Sequence, residues 1–149
     1  MLTSEAVRAP YPGLRPFEAD EADLFFGRER HVDALLKRLS GSHFVAVVGE
    51  SGAGKSSLVR AGLLPALQAG FVVEAGSDWR VAVMRPGGAP LEALAEALLE
   101  PGVLTDAGGS PRQEFALAEL RRGPLGLVQV VRDAYLGSYC NLLIVVDQF

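Results

Sequence analysis

The chain has 149 residues, 49% hydrophobic and 21% charged, with a net charge of −4. That is the length of about one domain with ordinary globular usage, which excludes a chain disordered throughout. The acidic balance excludes the basic footprint of a nucleic-acid binder, since the 14 basic residues are scattered arginines apart from Lys37 and Lys55.

Residues 1–16 carry Pro10, Pro12, Gly13 and Pro16, which predicts an extended N-terminal arm over 1–16. It has neither the apolar core nor the cleavage site of a signal peptide. Acidic Glu18, Asp20, Glu21 and Asp23 follow, then Phe25-Phe26-Gly27-Arg28-Glu29. Val32, Leu35, Leu36 and Leu39 fall on one face of an amphipathic helix predicted over 29–39. Phe44-Val45-Ala46-Val47-Val48 is a short β-branched run and predicts a buried parallel strand. After a turn, residues 55–67 are helical by composition, with Gly62 weakening the helix and Pro65 kinking or ending it near Leu64.

A second strand is predicted over 80–85, closed by Pro86-Gly87-Gly88, and a helix over 91–100. Ser110-Pro111-Arg112-Gln113 is a helix-start signature for a helix reaching about Arg122. Another helix is predicted over 125–135, then a third buried strand over 141–147 ending in Asp147. The aliphatic run 142–146 is far shorter than the roughly 18–20 residues of a membrane helix. Cys140 is the single cysteine, so no intrachain disulfide forms, and it reads as a small core residue. The expected location is the cytoplasm.

Gly49-Glu50-Ser51-Gly52-Ala53-Gly54-Lys55-Ser56 fits G-x-x-x-x-G-K-[ST] at every fixed position. A triphosphate is a dense anion, and backbone N–H groups cradle it only where the chain curls tightly. Gly52 and Gly54 permit that backbone. The helix that follows turns its N-terminal amides, from Lys55 through Ser57, toward the phosphates. Lys55 supplies a positive charge, and the Ser56 hydroxyl is a ligand for magnesium. Asp147, ending an apolar strand, is the second candidate for the magnesium shell. The loop and Asp147 read as Walker A and Walker B elements, and ATP with Mg2+ as the expected cofactors.

At these residues the chain resembles the nucleotide-binding domain of STAND-class P-loop ATPases, most closely the bacterial novel STAND NTPases. The resemblance spans residues 10–149. It rests on Tyr11-Pro12-Gly13-Leu14-Arg15-Pro16-Phe17, on Phe25-Phe26-Gly27-Arg28-Glu29, and on the loop continued through Ser57-Leu58-Val59-Arg60-Ala61-Gly62-Leu63-Leu64-Pro65. It rests also on Ser77-Asp78-Trp79-Arg80 with Met84-Arg85-Pro86-Gly87, and on residues 143–149. It implies a three-layer α/β P-loop fold with a mostly parallel sheet, residues 17–149 being its N-terminal portion, truncated after the Walker B strand. It implies that Phe26, Gly27, Arg28 and Glu29 lead into the nucleotide pocket beside the base. It further implies a signalling switch rather than a metabolic enzyme, joined in one polypeptide to effector and repeat sensor modules and able to oligomerise on activation.

In the family pattern acidic residues follow Asp147-Gln148-Phe149, one of them resembling the base that activates water, and a later strand separates the Asp147 strand from the P-loop strand. The expectation is therefore nucleotide binding without turnover, and a first strand lacking its neighbour. Two other readings of the loop are a P-loop kinase for a small acceptor, with Arg112, Arg121 and Arg122 as candidate lid arginines, and a non-catalytic module stabilised by nucleotide. His31 and His43 read as surface residues and Trp79 as core packing.

Overall fold

Two of the apolar runs pair with each other. In the computed structural model, which describes residues 12–71, 78–104, 113–134, 136 and 139–148, β1 (Trp79–Met84) and β2 (Asn141–Val146) form a two-stranded parallel sheet. The register runs from Trp79 opposite Asn141 to Met84 opposite Val146. Parallel strands need a crossover connection, and here it contains α4 (Pro90–Leu98), α5 (Gln113–Arg121) and α6 (Gly126–Asp133). The strand period of two sends Ala82, Met84, Leu142 and Ile144 to one face. There they join Ala95, Leu98, Leu104, Ala116, Leu120 and Val130 in one core. Leu98, Leu104 and Val130 are fully buried, each worth roughly 1.5–3 kcal/mol. The strands themselves are mostly half-buried rather than buried on both faces.

The chain divides into two compact units, Met1–Ser77 and Asp78–Phe149. The sheet and its helices are the second. The first contains a 3-10 helix over Ala19–Leu24, α1 (Glu29–Gly41), and a continuous helical run made of α2 (Lys55–Ser57), a π-helical segment (Leu58–Leu63) and α3 (Leu64–Gln68). Pro65 does not end this helix. Its ring conflicts with an α-helical carbonyl four residues back, and the wider π turns, with Leu64 N–H donating to Val59 O five residues back, precede it and relieve that conflict. Gly62 has a packing reason: a Cβ there would lie 2.6 Å from Val32 Cγ2 of α1.

One expectation fails. Residues 44–48 form no strand; they run as coil, with Phe44 81% and Val48 92% exposed. Composition supplies β-propensity, but a strand exists only where a neighbour accepts its N–H and C=O groups. Among the described residues β1 and β2 pair only with each other. Phe44 instead bonds locally, its N–H donating to Ser42 Oγ (3.2 Å), whose hydroxyl donates to Phe44 O (2.8 Å). The expected three-layer sheet is thus, among the described residues, a sheet of two strands. The serine–proline start of α5 falls partly outside the described residues. Among those residues no helix is long and apolar enough to cross a membrane.

Candidate functional site

The glycine-rich loop curls without help from a sheet. Gly52 and Gly54 have φ of 78° and 80°, the left-handed region that any Cβ makes costly. Ala53 N–H donates to Glu50 O at 3.2 Å, closing the turn. Gly54 then caps α2, and Leu58 N–H makes the bond back to Gly54 O at 2.9 Å. The amides of Lys55, Ser56 and Ser57 therefore belong to the helix end, where N–H groups have no partner inside the helix. Lys55 Nζ folds back and donates to Gly49 O (2.8 Å) and Glu50 O (2.7 Å). Its ammonium thus sits within the curl of the loop. Residues 49–54, Ser51 included, are all exposed.

The segment expected beside the base is close to this loop. Gly27 has φ of 81° and its N–H donates to Glu29 Oε1 at 2.9 Å. Glu29 is exposed, and hydrogen bonds from its own backbone and from Gly27 hold its carboxyl below the ordinary range. Arg28 Nη2 donates to Ala53 O of the loop at 3.4 Å. Arg28 and Glu29 also line a cavity of about 190 Å³, together with Phe25, Val32, Gly62 and Phe71. Phe26 is 76% exposed and does not line it. Phe25 does, with its ring 5.7 Å from that of Phe17. In sequence the two adjacent phenylalanines are indistinguishable; only the helix packing separates them.

The Ser57 side chain turns away from the loop. It is 9% exposed and its Oγ accepts the Phe17 N–H at 3.1 Å. Ser56 is half-buried and has bonding partners of its own. Asp147 belongs to the second unit. It continues the β1–β2 ladder through its N–H to Met84 O at 2.9 Å, and its carboxylate, 11% exposed, lies 3.9 Å from the Arg85 guanidinium. Gln148 after it is left-handed, with φ of 61°.

A family model described as Novel STAND NTPase 1 matches residues 10–149. The chain belongs to that family. No curated protein and no solved structure matches it. Within this STAND NTPase one hollow of the second unit measures about 470 Å³. It lies at the α5–α6 corner, lined by Phe115, Glu119, Arg122, Leu125 and Gln129 among others. It is larger than the cavity beside Arg28, and its wall holds a Glu119–Arg122 pair at 2.8 Å together with Gly123 and Gly126.

Proposed function

We propose that this STAND NTPase is the nucleotide-binding part of a signalling switch, taking up ATP with magnesium through residues 49–57. The observation that carries the reading is the conformation of the loop: two left-handed glycines lead into a helix end, with the Lys55 ammonium inside the curl. Oriented amides plus one mobile cation are what a polyphosphate requires. The residues present fit that group. Backbone amides of residues 50–57 would bind the phosphates, Lys55 would neutralise them, and Ser56 would ligate magnesium. The metal ion would supply charge neutralisation at the phosphate oxygens. Asp147, a nearly buried carboxylate at the end of the β2 ladder, is proposed as a magnesium ligand on the strength of the sequence resemblance.

The base is assigned to the side of Arg28 and Glu29. Their cavity of about 190 Å³ exceeds the ~150 Å³ that suffices for a benzene ring, and its aromatic and aliphatic walls suit a flat heterocycle. The proposal places the protein in the cytoplasm, in a polypeptide with effector and sensor modules. It covers binding; hydrolysis is assigned to no residue of this chain. The test is equilibrium binding of a labelled ATP with magnesium. Lys55→Ala should weaken binding by at least about tenfold, a loss of about 1.4 kcal/mol, and binding equal to the wild type would refute the reading. Asp147→Asn should reduce the magnesium dependence and leave metal-free nucleotide binding in place.

A further inference from the structure

The block Leu14-Arg15-Pro16-Phe17 has no role in the site so far, yet it is bonded to the helix that follows the loop. Pro16 lacks an N–H and biases Arg15 toward extended backbone, so the chain arrives at Phe17 with that amide as its next donor. Phe17 N–H donates to the buried Ser57 Oγ at 3.1 Å. One residue on, Glu18 Oε1 accepts from Arg60 Nη1 at 2.7 Å, with the Arg60 side chain 19% exposed. The two contacts lie one helical turn apart on the same helix, and Ser57 directly follows Ser56.

The segment is stiffened from its own side. Glu21 takes the Arg15 guanidinium through both oxygens, at 2.6 and 2.7 Å. The same carboxylate accepts Glu18 N–H at 3.0 Å, and Glu21 N–H returns to Glu18 O at 3.0 Å. Such reciprocal bonding fixes where a helical turn starts. Phe17 also stacks obliquely on Phe25, which lines the cavity beside Arg28. Residues 15–21 therefore form a preorganised clasp with two teeth, Phe17 N–H and the Glu18 carboxylate, set into Ser57 and Arg60.

We infer that this clasp couples residues 15–21 to the nucleotide site, with Ser57 and Arg60 as positioning residues that hold the first turns of the helix behind Lys55 and Ser56. The inference rests on the nucleotide-binding reading above. Coupling between two sites is reciprocal: if the clasp favours the binding-competent loop, bound nucleotide must tighten the clasp by the same factor. Any force or partner that lifts residues 15–21 would release nucleotide, which makes the segment a regulatory input.

The test has two arms. In the first, magnesium-ATP affinity is measured for Glu18→Arg, Arg60→Glu, the exchanged double variant, and Lys55→Ala as reference. Each single reversal should weaken binding about tenfold, and the double variant should recover most of it. Single variants that bind like the wild type, or a double variant no better than the singles, would overturn the clasp. The second arm needs no variant. Hydrogen exchange at the Phe17 amide in the intact chain should slow about tenfold with saturating magnesium-ATP, under conditions where this amide opens locally and faster than that of buried Leu67. An unchanged Phe17 rate overturns the coupling even if a variant fails to fold. A wild-type chain that binds no ATP, or a Lys55→Ala variant that binds normally, refutes the nucleotide reading instead, so the two failures are told apart.

Discussion

The two units of the chain are held in different ways. The second unit is built from periodicity: two aliphatic strands pair in parallel, and helices of ordinary pattern bury Ala82, Leu98, Leu104 and Val130 against them. The first unit has no sheet among its described residues. Its apolar core is Leu35, Leu36, Leu58, Ala61, Leu63, Leu64 and Leu67. Around these, its order comes from specific bonds such as Phe17 to Ser57, Glu18 to Arg60, and Lys55 to two loop carbonyls. The unit with the better-formed core carries one of the proposed site residues, Asp147; the more irregular unit carries the rest. Binding loops are drawn from the less regular parts of a fold because the backbone must depart from regular geometry to offer its amides.

The sharpest way to break this contrast is to delete equal kinds of side chain in each region. Leu98→Ala, at a fully buried position, should destabilise the second unit by about 2–5 kcal/mol, the transfer loss plus a cavity. Trp79 is the chain's single tryptophan and starts β1, so its fluorescence in urea reports that loss directly. Val48→Ala, at a position 92% exposed, should change stability by less than about 0.5 kcal/mol. A large cost at Val48 would mean that residues 44–48 are paired in solution, and the contrast would fall.

Two glycines sharpen it at a smaller scale. A Cβ on Gly126 would overlap the backbone carbonyl of Glu119, and neither helix can yield without parting at the α5–α6 corner. Gly126→Ala should cost about 1–3 kcal/mol. At Gly62 the obstacle is Val32 Cγ2 at 2.6 Å, the tip of a side chain. Alanine there also gains up to about 1 kcal/mol of helix propensity. Gly62→Ala should therefore come within about 1 kcal/mol of the wild type, as read by thermal unfolding. Equal costs at both sites would show that the first unit is packed as rigidly as the second.

These differences also explain what could be read in the sequence. The helix at Glu29–Gly41 and strands β1 and β2 follow from apolar periodicity, which is local. The turn at residues 49–54 could be read from its glycines, of which Gly52 and Gly54 take left-handed backbone. Residues 44–48 misled because β-propensity describes a surface that suits a neighbour, and a neighbour is not a local property. The 3-10 helix Ala19–Leu24 was legible only as an acidic run, although Glu18 and Glu21 at three-residue spacing were its start signal. The π turns before Pro65 could not be read, since proline marks a conflict without saying how the backbone resolves it. Nor could the choice of Phe25 over Phe26 for the cavity, which depends on how the chain enters α1.

The smallest expected effect concerns the border between bonding and packing in the first unit. Glu29 opens α1 and holds Gly27 N–H at 2.9 Å. Bonds from its own backbone and from Gly27 lower its pKa from the ordinary 4.5. A carboxylate stabilised in the folded state contributes stability above its unfolded pKa and loses that contribution as pH falls through the lower, folded value. The Gly27 and Glu29 amide resonances should therefore shift in one step centred below pH 4.5, and Glu29→Gln should abolish that step. Because the carboxylate is exposed, the global stability change should be slight. The local consequence is larger, since Gly27 in its left-handed conformation sets the approach of Arg28 to Ala53 O. ATP affinity should thus decline across the same acidic step in the wild type and lack that component in Glu29→Gln. A step centred at or above pH 4.5 would mean that Glu29 does not hold the turn, and the Arg28 contact would then need another cause.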